Sequence, residues 1–242
     1  MRFFLLVTLW FFFISCSKNN SAVTQTSNDS TCQIVTLKWV QGTDSSTTNL
    51  SYNSVGKLSK TEDGQGSITT YTYSGNQIFI TIGGNPVYYD TTTLNNFGYI
   101  TQFNVNSDPL KFASSFFYNS DTVLSYTIFV SPLTATPDTT TYQFTDGDLT
   151  NTVSDGITSN YTYYPDKSEQ PADLTIYNQT VDKGALAYKN KHLIKTYSSN
   201  SISEEYTYTF DGSNKISTIT DHYVNSQSSG TIIYYFTYAC HL

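Results

Sequence analysis

Few side chains in this sequence have the type and spacing that chemistry needs. The three histidines, His192, His222 and His241, stand apart, and no His-x-His or Cys-x-x-Cys pattern gathers metal ligands. No Gly-x-Ser-x-Gly elbow marks a serine nucleophile. Asp146-Gly147-Asp148 and Asp211-Gly212-Ser213-Asn214 offer oxygens to a hard cation, but neither has EF-hand spacing, and Asp-Gly is a hairpin-turn signal. Glu204 and Glu205, read as part of a strand, fall on opposite faces and cannot work as a glycosidase pair. The expectation is no catalytic residue, no metal and no cofactor.

Aromatic surface is what remains. The chain holds 21 Tyr and 15 Phe beside a single Met. A tyrosine ring gives a flat apolar face with a polar tip, suited to stacking on a sugar or lining a lipid cavity, and suited equally to packing a sheet core. The alternating runs place Tyr71, Tyr73, Tyr161, Tyr163, Tyr206, Tyr208, Tyr234 and Tyr238 on ring-rich strand faces, which makes them the ligand-facing candidates.

Cysteine is the other reactive type. The N-terminus reads Met1-Arg2, an apolar run over Phe3–Ile14, then Ser15-Cys16. As a helix that run covers about 18 Å, too short for a hydrocarbon core roughly 30 Å thick. It has the layout of a secretory signal, and its end resembles a lipobox, with Phe13 where leucine is usual. Residues 1–15 are therefore read as a lipoprotein signal peptide, and Cys16 as the acylated first residue that ties the protein to a membrane. Ser17 in place of aspartate points to the outer membrane, and Lys18-Asn19-Asn20 in place of an acidic tract points to its periplasmic leaflet over the cell surface. Lipidation of Cys16 leaves Cys32 and Cys240, as a disulfide or as two buried thiols, in a compartment that permits the bridge. A bridge would close a loop of about 209 residues, worth roughly 5 kcal/mol on chain entropy.

The elements that would position these residues are strands. Residues 16–31 are the lipidated cysteine followed by polar chain that cannot bury a core, and they read as a flexible tether. From Cys32 to Leu242 short alternating segments are separated by Asp63-Gly64, Ser74-Gly75, Gly83-Gly84, Asp146-Gly147, Asp155-Gly156 and Asp211-Gly212. This predicts one all-β domain over 32–242, an antiparallel meander of about fifteen to seventeen strands, with almost nothing helical. The last segment, with Ile232, Tyr234, Phe236 and Tyr238 on one face and Ile233 and Tyr235 on the other, reads as covered on both sides. A formal net charge of −7 with scattered lysines excludes a phosphate-binding stripe, so no nucleic-acid partner is expected.

A weak repeat runs through the domain: Tyr52 to Leu58, Leu94 to Ile100, Tyr142 to Leu149 and Tyr206 to Ile216 each carry an aromatic or apolar strand end, an Asn, Asp or Gly turn, and an aliphatic that starts the next strand. The style resembles the tyrosine-aspartate repeats of RHS-type shells, which are far longer. It is more similar to a Bacteroidetes lipoprotein domain family of unknown function with a porin-like or half-barrel fold, some members of which are described as lipid-binding. That resemblance covers roughly Gln33 to Tyr238 and carries no functional residue with it. It implies a meander curled into an open barrel, half-barrel or rolled sheet, and a membrane-anchored, non-enzymatic protein that binds a lipid or other hydrophobic ligand. A glycan-binding accessory lipoprotein and a structural envelope protein are the alternatives; protein partners are unknown.

Overall fold

Alternation of Thr or Ser with Tyr, Phe, Ile or Leu gives each strand one apolar and one polar face, and a sheet so built must curl to bury the first. The computed structural model describes residues 31–83, 87–106, 111–119, 122–134 and 136–241. The segment read as a signal peptide, Cys16, and the stretch read as a tether up to residue 30 lie outside these residues.

Sixteen strands are found among the described residues: β1 (Thr31–Gln41), β2 (Asp44–Tyr52), β3 (Leu58–Asp63), β4 (Ile68–Ser74), β5 (Gln77–Ile82), β6 (Tyr88–Leu94), β7 (Ile100–Val105), β8 (Phe112–Tyr118), β9 (Leu124–Val130), β10 (Asp138–Thr145), β11 (Asp148–Ser154), β12 (Ile157–Ser168), β13 (His192–Ser198), β14 (Ile202–Phe210), β15 (Ile216–Asn225) and β16 (Ser229–His241). Each pairs antiparallel with its neighbours in sequence, and β1 pairs with β16, so the meander closes into a complete barrel with no free edge. Closure goes beyond the open or half-barrel expectation. The bridge is present: Cys32 and Cys240 face each other across the closing ladder and are joined as a disulfide.

One short helix is found among the described residues, in keeping with a chain that is almost entirely strand. Helix α1 (Leu174–Lys183) sits in the long connection between β12 and β13. Asp173 caps its N-terminus, accepting the Thr175 N–H at 2.9 Å, and Gly184 at φ 72° ends it in the left-handed conformation. Leu174, Tyr177 and Val181 repeat at helical spacing and pack on the core. Sixteen strands enclose more space than side chains fill, and the helix occupies part of it.

The last strand also differs from expectation. Its second face is not covered: Tyr235 is 42% exposed on the outer wall.

Candidate functional site

The even-to-odd hairpins and the start of β1 define one end of the barrel. There every odd strand carries a buried aliphatic at or near its start: Ile34, Leu58, Ile78, Ile100, Leu124, Leu149, the pair Leu193 and Ile194, and Ile216. The ladders that these strands make with the following even strand begin about two residues later, at Thr36, Lys60, Gln102, Asn151, Thr196 and Thr218 in six of the pairs. The aliphatic carbonyl is thereby left out of the ladder, and an unpaired buried carbonyl is costly. A tyrosine hydroxyl near the end of the even strand donates to it: Tyr52 to Ile34, Tyr73 to Leu58, Tyr118 to Ile100, Tyr163 to Leu149, Tyr208 to Ile194 and Tyr238 to Ile216, all at 2.5 to 2.8 Å. These clamps are the physical content of the repeat. Burial pushes the Tyr52 and Tyr73 phenols up to about 12, so they stay protonated donors.

The connection carrying α1 fills the same end. It is bonded around the ring: the Tyr71 hydroxyl donates to the Val181 carbonyl, Thr92 Oγ1 to Lys183 O at 2.7 Å, and the Ile100 N–H to Leu186 O at 3.0 Å. On the other side Asn190 Oδ1 accepts the Leu149 N–H and Gln170 Oε1 the Ile216 N–H, both at 3.0 Å. Buried acids fix its two flanks. Asp148 accepts the Lys191 and His192 backbone N–H groups and meets His192 Nδ1 at 2.7 Å. Glu169 accepts the Asn190 N–H, and burial pushes its carboxyl up to about 8.

The outer face of the wall is polar, unlike that of a membrane pore. The outward positions of β2 are Ser45, Thr47, Asn49 and Ser51; of β10, Thr139, Thr141, Gln143 and Thr145; of β14, Ser203, Glu205, Thr207 and Thr209. Lys38, Lys60 and Glu62 also lie outside, the last two as an ion pair at 2.7 Å. A barrel facing lipid needs an apolar band about 25 Å tall around its outside. Here apolar residues outside are local, the largest group being Phe117 stacked on Tyr126 with Ile128 and Val130 beside them on β9.

The inner wall is mixed, carrying Ser46, Thr140, Ser154, Ser159, Glu204 and Asp221 beside its aromatic and aliphatic side chains, and beyond α1 it remains accessible. Phe129, Ile157 and Ile202 point inward yet are 36%, 47% and 37% exposed, and Phe112 stacks on Phe129 with ring centroids 5.7 Å apart. Between α1 and the β8–β10 wall is a cavity of about 230 Å³ lined by Phe116, Thr127, Tyr142, Lys183 and Tyr188 among others. Tyr188 is enclosed by protein, which pushes its phenol well up, but it keeps solvent-accessible surface because the cavity touches it. A second, mostly apolar cavity of about 180 Å³ lies between α1 and β1–β2, bounded by Ile34, Leu50, Tyr52, Ile176, Tyr177 and Val181. The arrangement is a cup: one end filled by the helix, the other presenting a few exposed apolar side chains among polar ones inside a hydrophilic shell.

The eight candidate tyrosines all face inward, with different employment. Tyr73, Tyr163, Tyr208 and Tyr238 are clamps, and Tyr71 holds the helix. Tyr161, which packs on Tyr197 at 5.2 Å, Tyr206, which donates to Glu204, and Tyr234 are left facing the lumen. The acidic turns are consumed locally: Asp211 Oδ1 accepts the Ser213 and Lys215 N–H groups at 2.8 and 2.9 Å, as Asn53, Asp63 and Asn95 do in matching turns. In that turn Asn214, not Gly212, takes positive φ, at 59°. Asp146 and Gly147, at φ 53° and 93°, form the expected tight hairpin. Among the described residues no group of three or more acidic, His or Cys side chains could hold a metal ion. The residues that sequence reasoning did not single out are the inward Phe112, Phe129, Ile157 and Ile202, and the acid Asp221.

No protein-family model and no curated protein matches this chain. Among solved structures it is similar to a porin-like protein from Bacteroides uniformis ATCC 8492, at 18% identity with a TM-score of 0.62, covering 85% of this chain and 96% of that one. At that identity the likeness concerns the fold, a porin-like β-barrel.

Proposed function

We propose that this chain is a non-enzymatic binding protein, anchored to a membrane through acylated Cys16, whose barrel stands in water and accepts a lipid or other hydrophobic ligand in its lumen. One observation carries the reading: the wall is polar outside, while Phe129, Ile157 and Ile202 point inward and are accessible from the end opposite α1. These side chains are 36–47% exposed, so burying the remainder against a ligand would contribute about 1 kcal/mol each, to be set against the cost of ordering the ligand. The inward tyrosines support a lined chamber over a flat glycan platform. A pore-like role has less support, because the α1 connection is bonded to strands on opposite sides of the ring. The envelope location, with the outer membrane and its periplasmic leaflet favoured, rests on the N-terminal sequence.

Native mass spectrometry of the purified protein, with solvent extraction of whatever accompanies it, tests the reading. A co-purifying amphiphile that is lost in Phe129→Asp and Ile202→Asp variants supports it. Protein that carries nothing and takes up no fluorescent fatty-acid analogue overturns it.

A further inference from the structure

Two carboxyl groups face the lumen without a counter-charge. In the β14–β15 ladder Tyr206 lies opposite Asp221 and Glu204 opposite Tyr223, so the two acids are diagonal neighbours on the inner face. Diagonal pairs have Cα atoms about 7–8 Å apart and Cβ atoms somewhat closer. Among the described residues no Lys, Arg or His side chain forms an ion pair with either acid. Glu204 accepts the Tyr206 hydroxyl. Asp221 is 5% exposed, and its Oδ1 accepts no hydrogen bond. A buried carboxylate oxygen without a donor is a rare and costly feature that calls for an explanation.

The surroundings suit a cation. An inward row crosses five strands as Tyr161, Tyr197, Glu204, Tyr223 and Gly230. A Cβ at Gly230 would lie 2.5 Å from the Tyr223 hydroxyl oxygen, so glycine is what lets that ring lie against the wall, where its hydroxyl accepts from Gln41 Nε2 at 2.7 Å. Tyr206 and Tyr234 flank the acids on the side toward α1. Aromatic faces attract an ammonium group, most strongly where water is excluded.

We propose that Glu204 and Asp221 form the lumen site for the ammonium group of an amphiphilic ligand, specifically a primary amine, whose N–H supplies the donor that Asp221 Oδ1 lacks. The proposal rests on the lumen being a ligand chamber and names the class of ligand it takes. Glu204 is half-buried and meets the ligand first, with Asp221 behind it. Burial, with Glu204 adding to it, pushes the Asp221 carboxyl up to about 7, so a bound cation displaces a proton there near neutral pH.

Calorimetric titration of the full-length protein with three ten-carbon probes, decylammonium, decyltrimethylammonium and decanol, tests it. Decylammonium is expected to bind roughly ten- to a hundredfold more tightly than decanol, the worth of a charge-assisted hydrogen bond, with proton release, and decyltrimethylammonium to fall below it. Glu204→Gln with Asp221→Asn should bring decylammonium to the decanol affinity and leave decanol unchanged. If the double variant does not fold by circular dichroism, Glu204→Gln alone should remove part of the preference. Equal binding of all three probes to the unaltered protein, or a preference that survives the substitutions, overturns the amine site and leaves the lumen reading standing. Binding of none overturns both. Lysophosphatidylethanolamine against lysophosphatidylcholine puts the same question to a lipid: preference for the ethanolamine headgroup assigns the amine to a phospholipid, and preference confined to decylammonium assigns it to a free alkylamine.

Discussion

Removing the Cys32–Cys240 bridge should cost more than any single core truncation in this barrel. The cysteines are 208 positions apart in sequence, and in the chain-entropy model a loop of that length removes about 18 cal/mol/K from the unfolded chain, or about 5 kcal/mol at 25 °C. Packing adds little, because Cys240 is exposed and Cys32 half-buried. The effect therefore lies in the unfolded state: without the bridge the ends must be found by diffusion before β1 can pair with β16 along Thr31–Val40. Guanidinium unfolding of the Cys32→Ala, Cys240→Ala double variant, followed by far-ultraviolet circular dichroism, should show a lower midpoint and a steeper denaturant dependence, since the open chain exposes more surface. A loss below about 1 kcal/mol would refute the entropic account and place closure in the ladder alone.

Other perturbations test other parts of the barrel. Tyr73→Phe and Tyr208→Phe each strip a donor from a carbonyl outside the ladder and should each cost about 1 kcal/mol, nearly additively because β4 and β14 are far apart in the strand order; chemical denaturation reads both. Asp173→Ala removes the cap of α1 and should cost about 1–2 kcal/mol, with amide exchange accelerating first in Leu174–Lys183 and Asp173→Asn retaining most of the protection. Stability should fall between about pH 4 and pH 8. Asp221 and Glu169 have folded values raised to about 7 and about 8, so across that range the folded protein holds protons that the unfolded chain has released, and raising the pH favours unfolding. Asp221→Asn should flatten that slope by at most about 4 kcal/mol over the range; an unchanged slope in thermal melts would contradict it.

Local chemistry in the sequence was enough to predict the strands, because Thr and Tyr alternate with period two and because Asp-Gly and Asn-rich turns recur. It also singled out the closing cysteines, since two remained once Cys16 was assigned to lipid. Closure itself is a long-range property, set by β1 meeting β16, and alternation leaves it open. Helix α1 was missed although Pro171, Asp173 and Gly184 mark its ends, because its polar residues Thr175, Asn178, Gln179 and Thr180 resemble the turns around it. The employment of the tyrosines was not legible: each clamp carbonyl lies 14 to 22 residues from its donor, and only register brings them together. The same is true of Glu204 and Asp221, which are distant in sequence and adjacent on the inner wall.

The central claim is that the outer wall of this barrel faces water and its lumen faces the ligand. Site-directed spin labelling of the full-length protein in membranes measures it most directly, with single labels at Thr47, Thr141 and Thr207 outside and at Ile202 inside. The account predicts that all three outer labels are relaxed by a water-soluble nickel chelate and little by oxygen dissolved in lipid, and that the Ile202 label is immobilised when an amphiphile is added. Outer labels shielded from the chelate and relaxed by lipid-dissolved oxygen would show a wall embedded in the bilayer and would contradict it.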